Sequence, residues 1–209
     1  MPPGTALKED FVSGRSWRAI HPYDAASLLA AVSAPWWIAG GWALDLFRAA
    51  PARPHVDLDV GVLRCDVLSL LEALSTWQVF EAKDGQLTSL SRGGVPRRDV
   101  HSLWCRPTAA EPWTIELMLE EGDREVWIYR REQSIRRSMS EVVRKATDRL
   151  PYLAPEIQLL YKSKAPRAQD EVDFGEIWPL LNSDARFWLH DAIRRVNPHH
   201  HWLPLLGHP

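Results

Sequence analysis

The hydrophobic positions between residues 36 and 63 change their spacing twice. The apolar run WWIA is followed by two glycines and by the helix-like segment ALDLF, and VDLDVGVL then alternates with a period of two. Strict alternation indicates a half-buried strand, whereas apolar residues three and four apart indicate a helix. This stretch therefore predicts a short strand, a helix that begins near the glycines, and a second strand.

The patterns that follow extend the sheet. A helix is predicted near residues 66–74, and QVFEAK and QLTSLS flank Asp84-Gly85, which is a strong hairpin signal. VHSLWC and TIELML predict two further strands. After residue 125, helices are predicted for SIRRSMSEVVRKA, for PEIQLLYKSKA and for residues 184–196. We expect an α/β (α+β) fold with a mixed-sheet core over residues 1–125 and flanking helices. A helical C-terminal region over residues 126–209 packs on that core.

Composition narrows the class of protein. The 209 residues are 45% hydrophobic and carry a net charge of −2. An apolar run of membrane-spanning length and a cleavable leader are both missing, so we predict a cytoplasmic protein with no membrane partner. The charge disfavours nucleic acid as a partner. Cys65 and Cys105 stand in apolar surroundings, which favours buried, reduced thiols. Oligomeric state is not indicated.

Carboxylates supply the first candidate chemistry. On an extended strand, Asp57 and Asp59 share a face and lie roughly 6 to 7 Å apart, while Val56, Leu58 and Val60 face the core. Two such charges repel unless a cation lies between them, and hard oxygen ligands of this kind favour Mg²⁺ held together with substrate phosphates. Glu116 in TIELML offers a third carboxylate from a second strand. Solvated acids are the alternative interpretation.

The glycine pair is the second feature with candidate chemistry. Gly40 and Gly41 allow close approach of a ligand to the backbone, and the helix that begins there would direct unpaired N–H groups outward. Phosphate is the anion expected at such a site. His55 shares the face of the aspartates, where it either contacts a phosphate or base or simply pairs with those two aspartates.

These motifs resemble a known family. GGWALDLF followed by ARPHVDLDV is similar to the GG and DxD signature of the DNA polymerase beta-type nucleotidyltransferase superfamily, in particular its aminoglycoside 2''-adenylyltransferase-like branch. TIELML resembles the strand with the third carboxylate, and PYLAPEIQLLYKSKAPRAQDEVDF resembles a helix of that branch. The resemblance covers roughly residues 35 to 175.

The resemblance implies transfer of a nucleoside monophosphate from a nucleoside triphosphate to a hydroxyl of a small molecule, such as an aminoglycoside-like antibiotic, with pyrophosphate leaving. Asp57 and Asp59 would bind Mg²⁺, and Glu116 would be either a further metal ligand or the general base. All three are thus candidate catalytic residues and metal ligands.

The resemblance also implies a nucleotide site. Gly40 and Gly41 would contact phosphate through the backbone, and Lys162 and Arg167 would neutralise triphosphate oxygens. His55 is added to this set as a candidate from its place beside the aspartates.

Three other functions compete with this one. A toxin-like relative would modify a protein or RNA, and a catalytically inactive relative would only bind a nucleotide. A glycosyltransferase would also use DxD to bind a metal, but it would leave the glycine pair and the R-x-H-x-D-x-D spacing without a role.

Overall fold

A computed structural model describes residues 8–10, 16–51 and 53–207. Within these ranges the strands are β1 Lys8–Asp10, β2 Trp36–Ile38, β3 Asp59–Leu63, β4 Gln78–Lys83, β5 Gln86–Leu90, β6 Ser102–Arg106, β7 Ile115–Gly122, β8 Val126–Ile128, β9 Arg136–Ser138, β10 Val143–Lys145 and β11 Pro151–Leu153. The α-helices are α1 Pro22–Leu28, α2 Gly40–Arg48, α3 Val67–Ala73, α4 Met139–Val142, α5 Pro155–Lys162, α6 Ala168–Ile177, α7 Ser183–Val196 and α8 Leu203–Leu206.

The strands form one mixed sheet with the order β1-β5-β4-β6-β7-β3-β2-β11-β10, and β8 and β9 extend it from β7. The β3–β7 and β2–β11 pairs are parallel, and the other pairs are antiparallel. The α/β class with a mixed sheet and flanking helices is therefore confirmed.

The predicted hairpin is also present. β4 and β5 pair from Lys83 and Gln86 outward, and Asp84 and Gly85 between them have φ angles of 50° and 76°. Two consecutive residues with positive φ define the tight hairpin turn whose twist matches the flanking strands.

The strand predicted for VDLDVGVL begins later than expected. β3 starts at Asp59. Its neighbour β2 ends at Ile38, and α2 begins at Gly40. The residues before Asp59 therefore have no neighbouring strand on the β2 side. Leu58 and Val60 are fully buried as predicted, but Val56 is 68% exposed, so its assignment to the core was wrong.

The segment after residue 125 is less helical than predicted. SIRRSMSEVVRKA contains β9, the one-turn helix α4 and β10 rather than one helix. β8 pairs with the end of β7 and recruits β9, while the β-branched Val142-Val143 pair leads into β10, which pairs with β11. The segment PEIQLLYK does form a helix, α5, and residues 184–196 lie within the helix α7. The division of the chain at residue 125 remains a prediction.

The helices pack a continuous apolar core against the sheet, in which Ile38, Leu117 and Leu159 are fully buried. Both cysteines are free, and Cys105 is buried, which raises the pKa of its thiol. Cys65 is exposed in the 3₁₀ turn Arg64–Asp66, so its predicted burial was wrong. In the described ranges, every helix is too short or too polar to cross a bilayer.

Candidate active site

Three carboxylates converge at the edge of the sheet where β3 and β7 begin. Asp59 is the first residue of β3 and the Cα partner of Glu116 in the parallel β3–β7 pair. Asp57 lies two residues before Asp59 in the loop that leads into β3. One oxygen from each side chain lies within 4.8 Å of the others. The structure thus brings together the three residues predicted to bind a metal.

The three carboxylates repel one another. Burial raises the pKa of Asp59 well above its usual value, and the charges of Glu116 and Asp57 raise it further. Burial also raises the pKa of Glu116. A divalent cation among the three oxygens would remove this repulsion, because it favours the ionised form of each carboxyl group. The donor set therefore fits Mg²⁺, a hard cation that prefers carboxylate and phosphate oxygens.

Glu116 is oriented from the neighbouring strand β6. Ser102 Oγ donates a hydrogen bond of 2.5 Å to Glu116 Oε1. Hydrogen bonds from the Ser102 and Trp104 side chains lower the pKa of Glu116, although burial has the larger, opposite effect. Trp104 is the Cα partner of Glu116, so both residues face the same side of the sheet. Sequence reasoning missed Ser102, for which a hydroxyl inside an apolar strand was the available signal.

Gly40 lies directly against the carboxylate cluster. Its φ is 65°, and a Cβ atom at this position would lie 2.0 Å from Asp59 Oδ2. Its N–H donates a hydrogen bond of 2.8 Å to Gln158 Oε1 on α5. Phosphate contact through the Gly40 N–H remains a prediction, and in this structure the N–H has a protein acceptor. Glycine is required here by space as well as by backbone conformation.

His55 lies beside the cleft rather than in its lining. Its Nε2 is 2.7 Å from Asp45 Oδ2, and its ring packs 4.5 Å from that of Trp42. A Cβ atom on Gly41 would lie 2.5 Å from the ring of His55. Of the two interpretations left open for this histidine, the structure shows pairing with a carboxylate, although with Asp45 and not with the DxD aspartates.

The predicted basic residues line the same cleft as Asp57 and Asp59. Lys162 Nζ is 2.6 Å from Asp170 Oδ1 and 2.8 Å from Asp173 Oδ2, and the lysine side chain is only 8% exposed. Arg167 also pairs with Asp170, at 3.0 Å, but its side chain is 70% exposed. Lys164 lines the cleft as well. Arg167 and Lys164 are thus accessible to an anion, while Lys162 is held between two acids.

The cleft that these residues line has a volume of about 680 Å³. Its lining includes Gly40, Gly41, Asp57, Asp59, Lys162 and Arg167 from the sequence prediction. The basic side chains in the lining are Arg53, Arg131, Lys162, Lys164 and Arg167. The lining thus combines carboxylates with cations, a surface suited to a phosphate chain that binds together with a metal.

Three further lining residues escaped the sequence analysis. Gln158 lies one helical turn before Lys162 on α5, and that spacing places both on one face, so the signal was available. Arg53 lies two residues before His55 in the R-x-H-x-D-x-D segment. Arg131 donates hydrogen bonds to Tyr129 Oη and to the Tyr161 carbonyl, and its position depends on tertiary packing that no local pattern predicts.

Comparison with known proteins agrees with this geometry. Residues 23–174, which include the carboxylate cluster and most of the cleft, match the sequence model of a family described as aminoglycoside-2''-adenylyltransferase. No curated protein is significantly similar in sequence to this chain.

Solved structures share the fold. The crystal structure of ANT(2'')-Ia in complex with adenylyl-2''-tobramycin is 13% identical with a TM-score of 0.53, and the similarity covers 83% of this chain and 95% of that one. For lincomycin-bound LnuA, a lincosamide antibiotic adenylyltransferase, the identity is 13%, the TM-score 0.53 and the coverage 76% and 95%. A solution structure of ANT(2'')-Ia is 16% identical with a TM-score of 0.54, and the similarity covers 86% of this chain and 94% of that one. At these identities the similarity is one of fold.

Proposed function

The chain belongs to the aminoglycoside-2''-adenylyltransferase family and is a nucleotidyltransferase. From this premise we propose that it moves a nucleoside monophosphate from a nucleoside triphosphate to a hydroxyl of a small molecule, with Mg²⁺ as cofactor. The observation that supports this most directly is the convergence of three carboxylate oxygens within 4.8 Å of one another, with Asp57 and Asp59 in the lining of a cleft that also has five basic side chains.

Asp57, Asp59 and Glu116 are the proposed ligands of the metal. When bound, Mg²⁺ would stabilise negative charge on the transferring phosphate group. The residues themselves define where that group lies, because the α-phosphate must contact the cluster while the remaining phosphates follow the basic wall. Gly40 sets the edge of the cluster, since any side chain there would displace the Asp59 carboxylate.

In the proposed reaction, the acceptor hydroxyl oxygen attacks the α-phosphorus. A new P–O bond forms, the bond from the α-phosphorus to the bridging oxygen breaks, and pyrophosphate leaves. Glu116 either accepts the hydroxyl proton or serves only as a metal ligand. Its Oε1 is fixed by Ser102 in both cases, and a fixed carboxylate lowers the entropic cost of reaching the reactive geometry.

We place the acceptor among hydroxyl-bearing antibiotics. ANT(2'')-Ia, which shares the fold, forms a complex with adenylyl-2''-tobramycin, and LnuA, which also shares it, binds lincomycin. For this chain, an aminoglycoside-like acceptor would bring positive charge toward a cluster of carboxylates, which favours its approach.

The test is a transfer assay with the purified protein. ATP, GTP, CTP and UTP are incubated with Mg²⁺ and a panel of aminoglycosides and lincosamides, and mass spectrometry detects the nucleotide adduct while a coupled assay detects pyrophosphate. We expect one nucleotide and one acceptor class to give both products, and Asp59→Asn to give neither.

Two other results would redirect the assignment. A monophosphate adduct on protein or RNA, with none on any antibiotic, would indicate a toxin-like transferase. Nucleotide binding without any adduct would indicate a binding module that has kept the fold.

A further inference from the structure

Arg53 lies over the first turn of α2 and has no role in the assignments above. It belongs to the loop between α2 and β3 and lines the cleft. A Cβ atom on Gly41 would lie 2.9 Å from Arg53 Nη2, so the guanidinium is in contact with the helix start. Its side chain is 30% exposed. The group is therefore partly shielded from water yet open to the cleft.

The N–H donors of this guanidinium have few close acceptors among the described residues. Its Nε is buried and has no hydrogen-bond partner within the described part of the chain. Nη1 makes only a 3.4 Å contact with the carbonyl of the adjacent Pro54, and Nη2 is 3.6 Å from Asp173 Oδ2. A guanidinium presents five N–H donors in a planar fork, and leaving such donors unmet in a shielded position is unfavourable. A ligand in the cleft with several acceptor oxygens would satisfy the donors on Nη1 and Nη2.

Lys162, by comparison, is already neutralised. Two carboxylates lie within 2.8 Å of its Nζ, and it links α5 to Asp170 and Asp173 on α6. Its charge therefore stabilises the wall of the cleft before any nucleotide binds. Arg53, whose nearest carboxylate oxygen among the described residues is 3.6 Å away, is less compensated than Lys162.

Resting on the proposed function, we propose that Arg53 binds the β- and γ-phosphates of the nucleotide, the part that leaves as pyrophosphate. The α-phosphate must lie at the carboxylate cluster, where transfer occurs, so the oxygens that Arg53 reaches over Gly41 are those farther along the chain of phosphates. Arginine forms two parallel hydrogen bonds to phosphate oxygens, and the N-terminus of α2 adds favourable dipole and N–H interactions for the same anion. Arg53 is thus a residue for pyrophosphate recognition.

The proposal is tested by binding without catalysis. Isothermal titration calorimetry in EDTA measures the affinities of wild type, Arg53→Ala and Arg53→Lys for inorganic pyrophosphate, ATP and AMP. We expect Arg53→Ala to weaken pyrophosphate and ATP binding by about 10- to 100-fold, the range for loss of a hydrogen bond to a charged group, and to leave AMP binding unchanged. Arg53→Lys keeps the charge but not the fork, so an intermediate loss is expected.

Arg98→Ala is the matched control, because Arg98 is an exposed arginine outside the cleft lining. If Arg53→Ala does not fold, Arg53→Lys supplies the comparison. Equal pyrophosphate affinity in wild type and the Arg53 variants, or an equal loss for AMP, would overturn the assignment of Arg53 and leave the proposed function intact. A wild-type protein that binds neither ATP nor pyrophosphate would overturn both.

Discussion

Replacing Gly40 by alanine tests the geometry of the cluster with a single methyl group. The added Cβ would lie 2.0 Å from Asp59 Oδ2 and 2.9 Å from its Cγ. Both distances are far below van der Waals contact, and the helix start that places Gly40 also packs on α5. The Asp59 carboxylate, as the end of a side chain, is the group that must move.

The size of the effect follows from two contributions. The left-handed φ of 65° makes any L-residue unfavourable by about 1 to 2 kcal/mol. Separately, Asp59 must shift by about 1 Å to restore contact distance, and a misplacement of about 1 Å at a reacting centre reduces rates by about 100-fold. We therefore expect Gly40→Ala to lose at least that factor in kcat/KM while the protein stays folded.

Gly85→Ala separates these contributions. Gly85 has a φ of 76° in the β4–β5 turn, but a Cβ there would meet nothing within 4 Å. It should lower the melting temperature by about 2–4 °C for each kcal/mol of strain, and leave the transfer rate unchanged. Transfer kinetics and thermal melts of both variants distinguish the effect of backbone strain from that of displacing Asp59. If Gly40→Ala were as active as Gly85→Ala, the close approach of Gly40 to Asp59 would not shape the active site.

Three further outcomes follow from the contacts. Asp59→Asn should abolish transfer yet melt at or above the wild-type temperature without metal, because it removes one of three mutually repelling, partly buried carboxylates; a lower melting temperature would contradict this. Burial raises the pKa of Asp170, but hydrogen bonds from two basic side chains outweigh it and lower the pKa to about 2. Asp170 therefore stabilises the fold above pH 4 or so and loses this contribution as the pH falls toward about 2, so urea midpoints of Asp170→Asn should depend less on pH over that window. Glu156 is 1% exposed and pairs with Arg137 at 2.6 Å, so Glu156→Gln should reduce the free energy of unfolding by about 3–5 kcal/mol in urea titrations, with Glu141→Gln, on an exposed side chain, as the control.

The carboxylate cluster could be predicted from sequence because its geometry is local. Alternation along a strand places Asp57 and Asp59 near each other whatever the rest of the fold does, and TIELML has a carboxylate among apolar neighbours. Even the late start of β3 does not separate the two aspartates. What no local pattern contains is the register that pairs Asp59 with Glu116 across parallel strands 57 positions apart.

Residues that act across long separations were missed for the same reason. Gln158 reaches the Gly40 N–H from 118 positions away, and its role depends on how α5 packs against α2. Val143 was assigned to a helix because its neighbours have helical spacing, yet pairing with β11 determines the structure from Val143 to Lys145. In the second case, tertiary hydrogen bonding outweighed a weak local preference.

The glycine pair contributes to the site through the side chains it lacks. Sequence reasoning assigned Gly40 and Gly41 to phosphate contact through the backbone, but both positions are sterically closed in this structure: a Cβ on Gly40 meets Asp59, and one on Gly41 meets His55 and Arg53. The start of α2 therefore packs directly on three side chains of the R-x-H-x-D-x-D segment. Two motifs separated in sequence are thus one steric unit, in which the helix start positions the proposed metal ligand Asp59, a histidine held by Asp45, and the arginine proposed to bind pyrophosphate. A substitution in either motif should consequently perturb the other, even where it removes no hydrogen bond.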